Sequence, residues 1–71
     1  MSDTIEELEQ RVKKLSMRST EAKMNLHDLA EELPTDWDRI PEVAEATYAV
    51  FKELTAARKD LKAAKRAAEE A

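Results

Sequence analysis

The sequence predicts an all-α chain, an antiparallel helical hairpin dimerising into a four-helix bundle. Three observations predict it. Apolar residues recur in two long series whose every step is three or four residues, the spacing of a heptad seam and not the period of two that a strand would show. The two prolines, Pro34 and Pro41, fall between those series, and the chain has no glycine anywhere. Finally, 71 residues with no cysteine leave two helices without a disulfide, and two helices alone cannot enclose a core.

The first series is Ile5, Leu8, Val12, Leu15, Ser19, Ala22, Leu26, Leu29, Leu33, which predicts a helix over about 4–33. Thr4 with Glu7 three residues on has the form of a capping box, with Glu6 and Glu7 favourably placed near the positive helix end. Pro34 cannot extend this helix and disfavours helical geometry at Leu33. A corner over 34–40 follows, in which Thr35 and Asp38 could cap one short turn through Trp37. Pro41 disfavours helical geometry at Ile40 and suits the first turn of a second helix.

That second helix is predicted over about 41–70 from the series Ile40, Val43, Thr47, Val50, Leu54, Ala57, Leu61, Ala64, Ala68, Ala71. Its alanine-rich end, from Ala63 onward, has high helix propensity and little to bury, so fraying is expected there. The corner is short enough to make the helices antiparallel neighbours. Each would be about 45 Å long at the helical rise per residue. A homodimer then completes the burial with no added sequence.

Composition excludes many activities. Without glycine there is no phosphate-cradling loop or dinucleotide fingerprint, and without cysteine no cysteine-based metal or redox motif. No run of about 18 apolar residues and no signal-peptide pattern is present, so a cytoplasmic protein that does not engage membranes is expected. The seam offers only Ser19 and Thr47 as polar groups and places no acid inward, so a non-enzyme without a cofactor is expected.

The net charge of −4 argues against general affinity for nucleic acid. Arg11, Lys13, Lys14 and Arg18 nevertheless cluster on the first helix, and Arg58, Lys59, Lys62, Lys65 and Arg66 on the second. Folding about Trp37 brings the two clusters to one level, while Glu31, Glu32, Asp36, Asp38, Glu42 and Glu45 make an acidic corner. Two readings stand: ordinary helix ion pairs with dimer-orienting charges, or a basic band of Arg11, Lys14, Arg18, Arg58, Lys62 and Lys65 that docks an acidic partner.

Met17 and Met24, seven apart, point outward from the seam. The same counting brings Tyr48 and Phe51 to the level of Met24 and His27. This group reads either as a protein-contact patch, since Met and aromatic residues are enriched at interface cores, or as flanking core of a wide bundle. Trp37 reads either as a lid on the bundle end or as a recognition residue. His27 and Glu31, one helical turn apart with Asp28 between, are metal-ligand candidates or a surface histidine paired with carboxylates; two ligands are too few for a tight site.

The stretch Met24-Asn25-Leu26-His27-Asp28-Leu29-Ala30-Glu31-Glu32-Leu33-Pro34-Thr35-Asp36-Trp37, with Lys13-Lys14-Leu15 before it and the Tyr48–Leu54 segment after, resembles the small rop-like proteins encoded in nitrogen-fixation gene clusters. The resemblance covers roughly residues 5 to 62 and is most specific from His27 to the Thr-x-Trp corner. It implies the dimeric hairpin fold and an accessory role around nitrogenase or its cofactor assembly. It places His27, Asp28 and Trp37 among characteristic positions without assigning them a role, and leaves a metal carrier or sensor at His27 as an alternative. A rop-like RNA-binding dimer is the other alternative. Against it, the first helix carries more acids than bases and no aromatic residue to stack on a base.

Overall fold

Both apolar series wind into unbroken helices. In the computed structural model, which describes the backbone of residues 2–70 and the side chains of residues 4–70, α1 spans Ser2–Glu32 and α2 spans Ile40–Glu70. They pack side by side as a hairpin whose extents are 55 × 14 × 13 Å. Ala71, the last seam position, lies outside the described residues. Among the described residues no helix is long and apolar enough to cross a membrane.

The seam residues that meet are those nearest the hairpin axis. Leu15, Leu54 and Ala57 form the buried cluster, and Val12 and Val50 pack against it. Leu29 and Val43 are buried closer to the corner. The polar seam entries satisfy themselves locally. The Ser19 hydroxyl, although buried, donates to the Ser16 carbonyl at 2.8 Å, and the Thr47 hydroxyl donates to the Val43 carbonyl at 2.8 Å. Each carries its partner on its own helix, so the seam tolerates both without an unmet hydrogen bond.

The chain departs from the sequence expectation in three places. Thr4 lies inside the first turn of α1, because that helix already begins at Ser2, so it does not cap. The short turn is a 3₁₀ turn over Trp37–Arg39, and the residue before it is Asp36, with no side-chain cap bond. Asp36 adopts the left-handed region at φ 57°, ψ 28°, which Asp tolerates better than most residues. The backbone closes the bend instead: Thr35 N–H donates to the Glu32 carbonyl at 2.9 Å and Arg39 N–H to the Asp36 carbonyl at 3.0 Å. Ile40, finally, is helical at φ −51°, ψ −49°. The preference against helical geometry before proline is overridden because the 3₁₀ turn delivers the chain already in helical register.

Truncating the buried cluster is expected to be costly and truncating an outward side chain is not. Leu54→Ala should lower unfolding free energy by about 2–4 kcal/mol, whereas Met24→Ala should stay within about 0.5 kcal/mol. Urea unfolding followed by circular dichroism checks both.

Candidate interaction surface

Two cross-helix contacts report the hairpin's register. Lys65 Nζ lies 3.8 Å from Glu9 Oε2, and Arg58 Nη2 donates to Ser16 Oγ at 3.4 Å. These are the pairings expected of a chain folded about Trp37. The Thr47 hydroxyl, 3.5 Å from the Ala22 carbonyl oxygen, agrees with them, since helical carbonyls point toward the C-terminus. Stepping on in sevens along both helices brings Lys23 beside Phe51 and Ala30 beside Ala44.

The Glu9–Lys65 and Ser16–Arg58 contacts and the Lys23–Phe51 and Ala30–Ala44 positions share one flank of the hairpin, here the Arg58 flank. Residues two apart on a helix stand about 200° apart, so Arg18 and Asn25 look the other way from Ser16 and Lys23. On that opposite flank Arg18, Glu21, Asn25, Arg39 and Glu42 rim a groove of about 420 Å³ floored by Ala22, Val43, Ala46 and Thr47. There Arg39 Nε donates to Glu42 Oε1 at 3.4 Å.

This geometry separates the two basic clusters. Arg58, Lys62, Lys65 and Arg66 line a concavity with Glu69 on α2 alone, and Arg11, Lys13, Lys14 and Met17 line one with Glu7 and Gln10 on α1 alone. They share a level and not a surface, and Arg58 and Lys65 turn toward α1.

His27 stands between two carboxylates, with Nε2 3.4 Å from Glu31 Oε1 and Nδ1 3.9 Å from Asp28 Oδ1. All three side chains are well exposed, so water screens the contacts. Among the described residues, no group of three or more metal-ligating side chains is placed to hold an ion. Met17, Met24, Trp37 and Tyr48 stand clear of the buried cluster, with Trp37 68% and Tyr48 69% exposed.

The residues that spacing alone does not single out are seam residues left uncovered. Leu26 is 37% exposed, Leu33 40% and Ile40 41%, close to Phe51, itself a contact candidate from the sequence, at 39%. Near the corner the helices meet along Leu29 and Val43, the alternate seam positions, and so roll the other seam line outward onto the Arg58 flank. The sequence signal was present in the pairing of Ala30 with Ala44 beside Phe51: small residues where a solvated flank would carry charges.

Comparison with known proteins places this hairpin among relatives. A family model described as Rop-like matches residues 3–66. The chain is 61% identical over 62 residues to a UPF0437 protein of Azorhizobium caulinodans, covering 87% of this chain and 88% of that protein. It is 52% identical over 59 residues to a UPF0437 protein of Sinorhizobium fredii, covering 83% and 88%. A protein of Frankia alni, described as a UPF0437 protein in the nifX-nifW intergenic region, is 44% identical over 46 residues, 65% of this chain and 56% of that one. No solved structure matches.

The cross-helix ion pair should matter little to stability. Both its side chains are about half exposed, so Glu9→Gln is expected to change unfolding free energy by less than about 1 kcal/mol. Denaturation at low and high salt should show that small difference shrinking further as salt rises.

Proposed function

We propose that this chain, which belongs to the Rop-like family, is a non-catalytic accessory protein of nitrogen fixation that works as a homodimer by binding another protein. The observation that carries this reading is the uncovered seam. Leu26, Leu33, Ile40 and Phe51 are apolar side chains left partly exposed on the hairpin, and among the described residues no large side chain is fully buried. A chain this short gains the missing burial most readily from a second copy. The link to nitrogen fixation rests on the relative whose description locates it between nifX and nifW. The partner would then be a nitrogenase component or a protein of its cofactor assembly, met through the side chains outside the dimer contact, Met17, Met24 and His27 among them. Nucleic acid is the weaker reading, because the basic side chains that would track phosphates are divided between surfaces.

Carriage of a divalent metal is the second reading, supported by the approach of His27 to Glu31. Titration with zinc or nickel separates the two: the protein-binding reading expects no stoichiometric site, and one abolished by His27→Ala would replace it with metal carriage.

For the principal reading, sedimentation equilibrium at micromolar concentration should return twice the 8.1 kDa of one chain. A tagged chain in nitrogen-fixing cells should co-purify with a nitrogenase or cofactor-assembly component. Recovery of none, from cells that are actively fixing nitrogen, would defeat the proposal.

A further inference from the structure

Lys62 has only bases for helical neighbours. The residues three and four before and after it are Arg58, Lys59, Lys65 and Arg66, the positions whose side chains meet on a helix. From Arg58 to Arg66, α2 carries five bases and a single acid, Asp60. Asp60 stands about 160° round the helix from Lys62, and Glu53, the next acid toward the corner, about 180°. Ion pairing along the helix therefore does not account for this cluster. Among the described residues, Lys65 alone of the five bases reaches a carboxylate, that of Glu9 on α1 at 3.8 Å. The helix dipole does not account for the cluster either. Its attraction for cations is confined to the last turn, which contains no base and ends on Glu69 and Glu70. Like charges at this spacing destabilise a helix, and they stand here without an answering set of acids.

The cluster belongs to a longer stripe. Tyr48, Lys52, Thr55, Lys59, Lys62 and Arg66 follow one another at steps of three and four residues and fall within about 80° of the helix circumference. All six are exposed. Toward the corner the stripe is aromatic: Tyr48 and Phe51, with Thr47, Lys52 and Thr55, line a concavity of about 500 Å³. Toward the termini it is cationic, where Arg58, Lys62, Lys65 and Arg66 line a second concavity. One outer face of α2 thus changes from aromatic to cationic over about 27 Å.

Resting on the protein-binding reading, we infer that this stripe docks an acidic helix of the partner protein. Carboxylates at three- and four-residue spacing on that helix meet Lys59, Lys62 and Arg66, and an apolar side chain meets Tyr48. Charge complementarity of this kind selects the partner and its orientation, and it supplies the acids that α2 lacks. The extent of the cluster favours a protein over a nucleic acid. Its cationic part, Arg58 to Arg66, is about 12 Å long. Glu69 and Glu70 close it at one end and Glu9 stands beside it. A phosphate backbone running past the cluster would meet those carboxylates, whereas a short acidic helix ends before them.

The probe is a labelled synthetic helical peptide of about five turns, with glutamate at three- and four-residue spacing along one half and leucine along the other. By fluorescence anisotropy the native chain should bind it, with affinity falling as salt rises. Lys62→Glu should weaken binding about tenfold or more. Arg18→Glu, the same change of charge on the opposite flank, should leave it within about twofold. No binding by the native chain, or equal loss in the two variants, would overturn the docking stripe. An RNA duplex that binds more tightly than the peptide, and is released by Lys62→Glu, would overturn it in favour of nucleic acid. Because Lys62→Glu sets an acid among four bases, its thermal unfolding midpoint should rise. A fall would overturn the reading of the cluster as unanswered charge. In nitrogen-fixing cells, a partner recovered equally by the native and Lys62→Glu chains would overturn the stripe and leave the protein-binding reading standing. Recovery of none by the native chain would defeat that reading itself.

Discussion

Two helices in contact cover only part of each other's apolar stripe, and a globular helix carries a stripe wider than that part. The rest of this molecule follows from that constraint. Both lines of the seam are covered in the terminal half, at Leu15, Ser19, Leu54 and Ala57, and one line alone near the corner, at Leu29 and Val43. Whatever falls beside the line is left to solvent. In the terminal half the neighbours are Glu9, Ser16, Arg58 and Lys65, which suit water. In the corner half they are Leu26, Ala30, Leu33, Ile40, Ala44 and Phe51, which do not. The hairpin is thus one fold with two kinds of flank along a single edge.

Charge follows the same division. A net charge of −4 describes neither flank of the hairpin. Arg18 and Arg39 share a groove with Glu21 and Glu42, while Arg58 and Lys65 turn inward across the other side to meet α1. Electrostatics of this kind sets orientation and partner choice more than stability. It leaves the acidic corner as the one end where like charges crowd without a base on α1's last turn.

The heptad spacing made the two helices and their register legible, because period and direction are local properties of the residues. The antiparallel pairing of Glu9 with Lys65 was countable from a fold about Trp37. The corner was less legible. Thr35 had the chemistry of a cap, but the bend closes through backbone bonds around a left-handed Asp36. Ile40 is helical despite the following proline, since its geometry is inherited from the turn before it. The candidate contact residues divide in the same way. Met17, Met24, His27, Trp37 and Tyr48 were recognisable as residues outside the seam. Leu26, Leu33 and Ile40 were hidden by belonging to it.

The sequence by itself determined that this protein is helical and where the chain turns back. Each of these depends on spacing, on proline's fixed geometry, or on residue types that are simply absent. Only the tertiary structure decided where along the hairpin one of the two equivalent seam lines is left uncovered and on which flank the basic side chains emerge. The physical reason is that a few tens of degrees of rotation about a helix axis, invisible in a heptad pattern, separates a buried leucine from an exposed one. The antiparallel hairpin is the one its heptads predict, with an apolar edge left exposed in the corner half.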